Sequence, residues 1–229
     1  MTKNISIFSW HFGISTYIII DPIIFRKMWL FVNKLIKKFK PGSIYAITSR
    51  AGVGKTYFCL NLLSHIAEHN DEVLFLTDSL DTSEIDNYIA QLPTASQNRV
   101  YFKQAFNLHK DKLETYLNER EYKYLILDPF DNYAFDIDFG VLKEIAIEKN
   151  LIVIVTKNLS RTPISSKRAS PVLSDIKFID KTVQQKFIAY TDLILFLDKN
   201  PNTSQFRLLV GKDVYGSIGY TIEVATDDL

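Results

Sequence analysis

From Ser43 onward the chain alternates short, almost unbroken apolar runs with segments whose apolar residues recur three and four apart. The runs at 43–48, 72–77, 100–104, 122–128, 151–156, 193–197, 205–210 and 220–224 read as strands, and near-continuous hydrophobicity suits strands covered on both faces. Helices fill the gaps. Residues 56–69 carry Leu60, Leu63 and Ala67 on one face, 81–92 open with Asp81 and Glu84 in capping-box spacing, and 139–149 repeat Leu142, Ile145 and Ala146. Such alternation predicts an α/β fold with a mostly parallel central sheet flanked by helices. The last two strands, joined by a tip containing Tyr215-Gly216-Ser217-Ile218-Gly219, are expected to form an antiparallel hairpin at the carboxy terminus.

Residues 1–40 follow a different pattern. Ile5 to Val32 is unusually apolar, but Asp21-Pro22 and Arg26-Lys27 interrupt it before it reaches the ~20 residues a membrane-spanning helix needs. No small-residue cleavage site follows, so a secretory leader is not expected either. The segment is expected to pack on the core or on a neighbouring subunit, as an extension preceding one domain over 41–229. Lys34, Lys37, Lys38 and Lys40 then lead to the Pro41-Gly42 turn.

Composition adds limits. At 229 residues, 47% hydrophobic and 23% charged, the chain suits one large globular domain. A net charge of +1 supplies no global basic field, so contact with nucleic acid would need a local patch. The single cysteine, Cys59, has no disulfide partner within the chain, which fits a reducing cytoplasm, and it falls on the apolar face of a helix. His11, His65, His69 and His109 show no metal-ligand spacing.

The candidate chemistry lies between the first strand and the first helix. Ser49-Arg50-Ala51-Gly52-Val53-Gly54-Lys55-Thr56 matches the phosphate-loop pattern G-x-x-x-x-G-K-[ST] except at its first position, where Ser49 replaces Gly. Backbone N–H groups must turn inward around a phosphate, which Gly52 and Gly54 permit, and the following helix start adds positive potential. Lys55 is then placed to reach phosphates, Thr56 to hold Mg²⁺, and Tyr57 to flank the nucleotide. Downstream, Tyr124-Leu125-Ile126-Leu127-Asp128 is an apolar strand ending in a carboxylate, the residue type that orients a Mg²⁺-bound water beside such a loop.

In the order of these segments the chain resembles the RecA-type motor domain of the DnaB-type hexameric replicative helicases. The resemblance runs from about Lys40 to Val224 and rests on 39–43, 49–56, 73–76, 125–128, Ile154-Val155-Thr156-Lys157-Asn158-Leu159-Ser160-Arg161, and the pair Pro171-Val172-Leu173-Ser174-Asp175-Ile176 and Thr191-Asp192-Leu193-Ile194-Leu195-Phe196-Leu197. It implies a RecA-like P-loop NTPase domain that uses ATP and Mg²⁺, assembles with copies of itself in a ring or filament, and acts on single-stranded DNA. It also implies catalytic roles for Lys55, Asp128 and Asn158, the last standing where the family has a sensor Gln. The family's amino-terminal domain is expected to be missing.

Three positions depart from the family. Ser79 stands where a Glu polarises water, and a serine has no basic carboxylate. Lys212 remains of a Lys-x-Arg pair that works in trans, but Val214 replaces the arginine, leaving Arg161, Arg168 and Arg207 as substitutes that nothing local distinguishes. These losses predict ATP binding with slow hydrolysis. A degenerate nucleotide-dependent binding or regulatory module is the alternative. Lys167, Arg168 and Lys177 are the candidate DNA contacts.

Overall fold

The computed structural model describes residues 35–105, 108–130, 135–159, 171–178, 180–199, 206–215 and 222–224. Strands β1 (Ser43–Ser49), β2 (Val73–Thr77), β3 (Val100–Gln104), β5 (Tyr124–Asp128), β7 (Ile152–Asn158), β8 (Leu193–Lys199), β9 (Phe206–Asp213) and β10 (Ile222–Val224) form one sheet. Its spatial order is β10-β9-β8-β1-β7-β5-β2-β3. The pairings from β3 through β8 are parallel, while β9 runs antiparallel to β8 and β10 antiparallel to β9. The strand segments expected from the sequence all appear. Most differ at their ends: β7 continues to Asn158 and β9 to Asp213.

Helices α1 (Lys55–Glu68), α2 (Thr82–Gln91), α3 (Thr94–Gln97), α4 (Lys110–Asn118), α5 (Phe139–Glu148) and α6 (Lys181–Tyr190) connect the strands. The capping box opening α2 is present: Asp81 Oδ1 accepts from the Glu84 N–H at 2.8 Å, and Glu84 Oε2 accepts from the Asp81 N–H at 2.9 Å. Two features are not legible in the sequence. Helix α4 has only Leu113 and Leu117 fully buried, too few to show a stripe, and the two-residue strands β4 (Leu108–His109) and β6 (Phe135–Asp136) pair with each other outside the main sheet.

Strand parity divides the core into two layers. Ile44, Ala46, Leu125, Leu127, Val153, Val155, Ile194 and Phe196 face α5 and α6, meeting Leu142, Ile145 and Phe187. Tyr45, Ile47, Phe75, Tyr124, Ile126, Ile152, Ile154 and Leu195 face α1, meeting Phe58, Leu62, Leu63 and Ile66. Because side chains alternate between faces, the next residues in the second set are Ser49, Thr77, Asp128, Thr156 and Asn158. Thus five polar residues collect at the carboxyl ends of four strands, on the face covered by α1.

The other end of the sheet is tied by Asp192. Its Oδ2 accepts from the Ile44 N–H at 2.8 Å and from Lys143 Nζ at 2.7 Å, joining the start of β1 to α5 just ahead of β8. Tyr215 closes the same corner, its hydroxyl 2.8 Å from Ser43 Oγ and its ring under Lys40 Nζ at 3.9 Å. No helix among the described residues is long and apolar enough to cross a membrane.

Candidate phosphate-binding cleft

The loop between β1 and α1 is shaped by its glycines. Gly52 has φ 76° and Gly54 φ 103°, values that side chains with a Cβ rarely adopt. A Cβ added at either would meet nothing within 4 Å, so the space over the loop is open to a ligand. Gly54 supplies the residue before the first turn of α1, whose unpaired N–H groups face the loop. Arg50, Ala51 and Val53 complete the turn, and Tyr57, whose hydroxyl burial makes harder to ionise, sits in the first turn of α1.

Lys55 is 7% exposed and bends back over this loop, donating from Nζ to Ser49 Oγ at 3.0 Å and to the Arg50 carbonyl at 3.3 Å. Ser49 Oγ in turn donates to the Arg50 carbonyl at 2.7 Å. The residue that breaks the phosphate-loop pattern therefore supplies an acceptor for the pattern's lysine.

Facing the loop is a carboxylate. Asp128 is 1% exposed; its Oδ1 accepts from Thr156 Oγ1 at 2.5 Å, whereas its buried Oδ2 has no hydrogen-bond partner. Burial pushes the Asp128 carboxyl up, opposed by the Thr156 and Thr56 hydroxyls and by the Lys55 charge, while Asp78 adds to the rise. Thr56 holds the charge down from nearby without a well-formed hydrogen bond to Oδ2. An ionised carboxylate with one bare buried oxygen fits a bound cation, which would satisfy it. The donor set of one carboxylate and one hydroxyl beside a phosphate-sized opening suits Mg²⁺, which keeps waters and shares phosphate oxygens.

Ala51, Gly52, Gly54, Lys55 and Thr56 form one wall of a cleft of about 290 Å³, with Asp128, Pro129, Asn158 and Ser79 opposite. Asn158 reaches it because β7 pairs with β1 in register, Ser49 opposite Asn158, and the Leu159 N–H donates to the Ser49 carbonyl at 2.8 Å. Ser79 projects from the turn after β2, its N–H donating to Thr77 Oγ1 at 3.0 Å and its hydroxyl to the exposed Asp78 carboxylate at 3.4 Å. Sequence reasoning does not single out Thr156; its contact with Asp128 depends on β5 and β7 being neighbours, which the sequence does not state. Cys59 is fully buried under the loop, and burial pushes its thiol up, as expected of a packed rather than a reactive cysteine.

The remaining candidates lie elsewhere. Lys212 Nζ donates to the carbonyls of Ile188, Ala189 and Thr191 at 2.5, 3.2 and 2.6 Å, capping the end of α6, and burial lowers its pKa. A trans-acting role for it would require exchanging these carbonyls. Val214 is 58% exposed and follows Asp213, which pairs with Leu193 at the start of β8, so it lies at the end of the sheet opposite the cleft. Arg207 is held in a buried ion pair with Asp198 and is committed to the β8–β9 pairing. Lys177 is exposed. Lys167, Arg168, Arg161 and the apolar segment 1–34 lie outside the described residues.

No protein-family model and no curated protein matches this chain. Solved structures do. One, an ATPase domain of the DnaB-like helicase type, superposes with a TM-score of 0.64 at 13% identity, over 89% of this chain and 95% of that one. A second, a DnaB-like replicative helicase described with its interactions with primase, gives a TM-score of 0.61 at 16% identity over 81% of this chain. The match takes in 55% of that helicase, so this chain spans about half of its length. The fold is thus that of the RecA-like ATPase domains of DnaB-like helicases.

Proposed function

We propose that the chain is a helicase-type ATPase that binds ATP with Mg²⁺ in the cleft at Ser49–Thr56 and Asp128 and acts in DNA replication or processing. The observation that carries this reading is the bare Oδ2 of Asp128 facing Lys55, Thr56 and two positive-φ glycines across one opening. The loop N–H groups and Lys55 bind the phosphates, Thr56 and Asp128 hold the metal, and Asn158 borders the position of the terminal phosphate. When bound, Mg²⁺ would neutralise phosphate charge that builds up during cleavage. By analogy with the helicase domains of the same fold, assembly is side by side in a ring or filament, with single-stranded DNA contacted by Lys167, Arg168 and Lys177. Lys55→Ala is expected to abolish ATP binding, since the phosphates lose their main cation; unchanged affinity in that variant overturns the assignment.

A second reading, from a different class, is a nucleotide-dependent binding module with little catalysis. It is favoured by Ser79, a residue without basicity, lining the cleft where a water-polarising acid is expected, and by Val214 at the trans position. ATP turnover by the purified chain with and without single-stranded DNA separates the two, because stimulation by DNA belongs only to a motor.

A further inference from the structure

We propose that Thr156 is a positioning residue for the metal site: its hydroxyl fixes the Asp128 carboxylate so that Oδ2 alone is presented to Mg²⁺ or its water shell. The inference rests on the reading of the cleft as a Mg²⁺–nucleotide site, and deepens it by assigning a residue that the phosphate-loop and strand-end motifs do not contain.

Strand geometry brings the two side chains together. Leu127 pairs with Val155, so Asp128 and Thr156 are the next residues along neighbouring parallel strands and share the face toward α1. Both are buried, at 1% and 0% exposure, which removes water as a competing partner for either side chain. Thr156 Oγ1 donates to Asp128 Oδ1 at 2.5 Å. A hydroxyl has one hydrogen to donate, so this contact favours an ionised acceptor and occupies one carboxylate oxygen.

Thr156 is itself held firmly. A β-branched side chain is stiff at χ1, and its carbonyl accepts from the Phe130 N–H at 2.7 Å, fastening the chain that leaves Asp128 to the same residue. Side chain and following loop are therefore located by one threonine. With Oδ1 engaged, rotation of the carboxylate is blocked and Oδ2 is left bare among the described residues, beside Lys55 and Thr56 in the cleft. A hydrogen-bonded partner that orients a metal-binding carboxylate typically changes metal affinity about 10- to 100-fold.

The test uses the full chain and a fluorescent ATP analogue, titrated in EDTA and then against Mg²⁺. For the unmodified chain, Mg²⁺ is expected to tighten binding; no binding at all in either condition overturns the underlying reading instead of the role of Thr156. Thr156→Val is expected to leave affinity in EDTA within about twofold while raising the half-saturating Mg²⁺ concentration about tenfold. Thr156→Ser, which keeps the hydroxyl, is expected to restore it. An unchanged Mg²⁺ requirement in Thr156→Val, or an equal loss of affinity in EDTA and Mg²⁺, overturns the proposal. Should Thr156→Val not fold, Thr156→Cys carries the same test, because a thiol is a weaker donor and must also raise the requirement. In an Asp128→Asn background the Thr156→Val change is expected to add nothing further, and an additive effect counts against it.

Discussion

Lys55 Nζ lies 3.0 Å from Ser49 Oγ, so the serine that interrupts the phosphate-loop pattern is a partner of the lysine that defines it. Both side chains are buried, and hydrogen bonds to charged groups contribute ~1.5–3 kcal/mol. Ser49→Ala is therefore expected to weaken ATP binding, by about tenfold, because the ammonium loses an orienting contact before the phosphates arrive. Calorimetric titration checks this; tighter binding in Ser49→Ala would mean that the serine competes with the nucleotide.

Asp192 offers a control at the far end of the sheet. Removing it leaves the Ile44 N–H and Lys143 without their shared acceptor. Asp192→Ala is expected to cost about 2 kcal/mol of stability while leaving nucleotide affinity unchanged, since β1 joins the two ends only through its own length. Chemical denaturation and nucleotide titration of the same sample read both quantities.

His65 makes the fold sensitive to acid. Burial, with help from His69 and Lys37, lowers the His65 pKa to about 4, although Glu68 stands 4.0 Å from its Nδ1. The unfolded chain takes up this proton near 6.5 and the folded chain only near 4, so between those values the unfolded state binds more protons. The contribution of His65 is present above about pH 6.5 and is lost as the pH falls toward about 4. Comparing denaturation midpoints of the unmodified chain and His65→Gln across that window should show the unmodified chain declining more steeply; parallel declines would remove His65 as the source.

Much of this architecture can be read from the chain itself. Ser49 to Thr56 declares a strand, a tight loop and a helix start through its glycines and its lysine, and Tyr124 to Asp128 declares a buried strand with a charge at its end. Parity then gathers Ser49, Asp128 and Asn158 on one face, which follows from the period of two once the strands are known. Strand order is what the sequence withholds. Because β7 lies between β5 and β1, Thr156 meets Asp128, and nothing in the run Ile152 to Thr156 names that neighbour. Lys212 shows the converse: its segment marks a strand end, but the carbonyls of α6 that hold its ammonium come from a helix whose buried face is essentially Phe187.

The central claim is that this cleft retains the contacts that bind ATP and lacks those that speed its hydrolysis. Ser79 lines the cleft without a basic group, and Val214 places an apolar side chain where a trans-acting arginine would stand. Groups of the second kind contribute ~10³–10⁵ in rate. Ser79→Glu and Val214→Arg are therefore expected to raise turnover rather than lower it.

The most direct measurement is steady-state ATP turnover per subunit at saturating ATP and Mg²⁺ with single-stranded DNA present, alongside the fraction of subunits holding nucleotide. The account predicts near-complete occupancy with turnover of about 0.01 s⁻¹ or less, roughly 10³-fold below the enzyme median. Turnover of ~10 s⁻¹ by the unmodified chain would contradict it, because Ser79 and Val214 would then not mark missing catalytic groups.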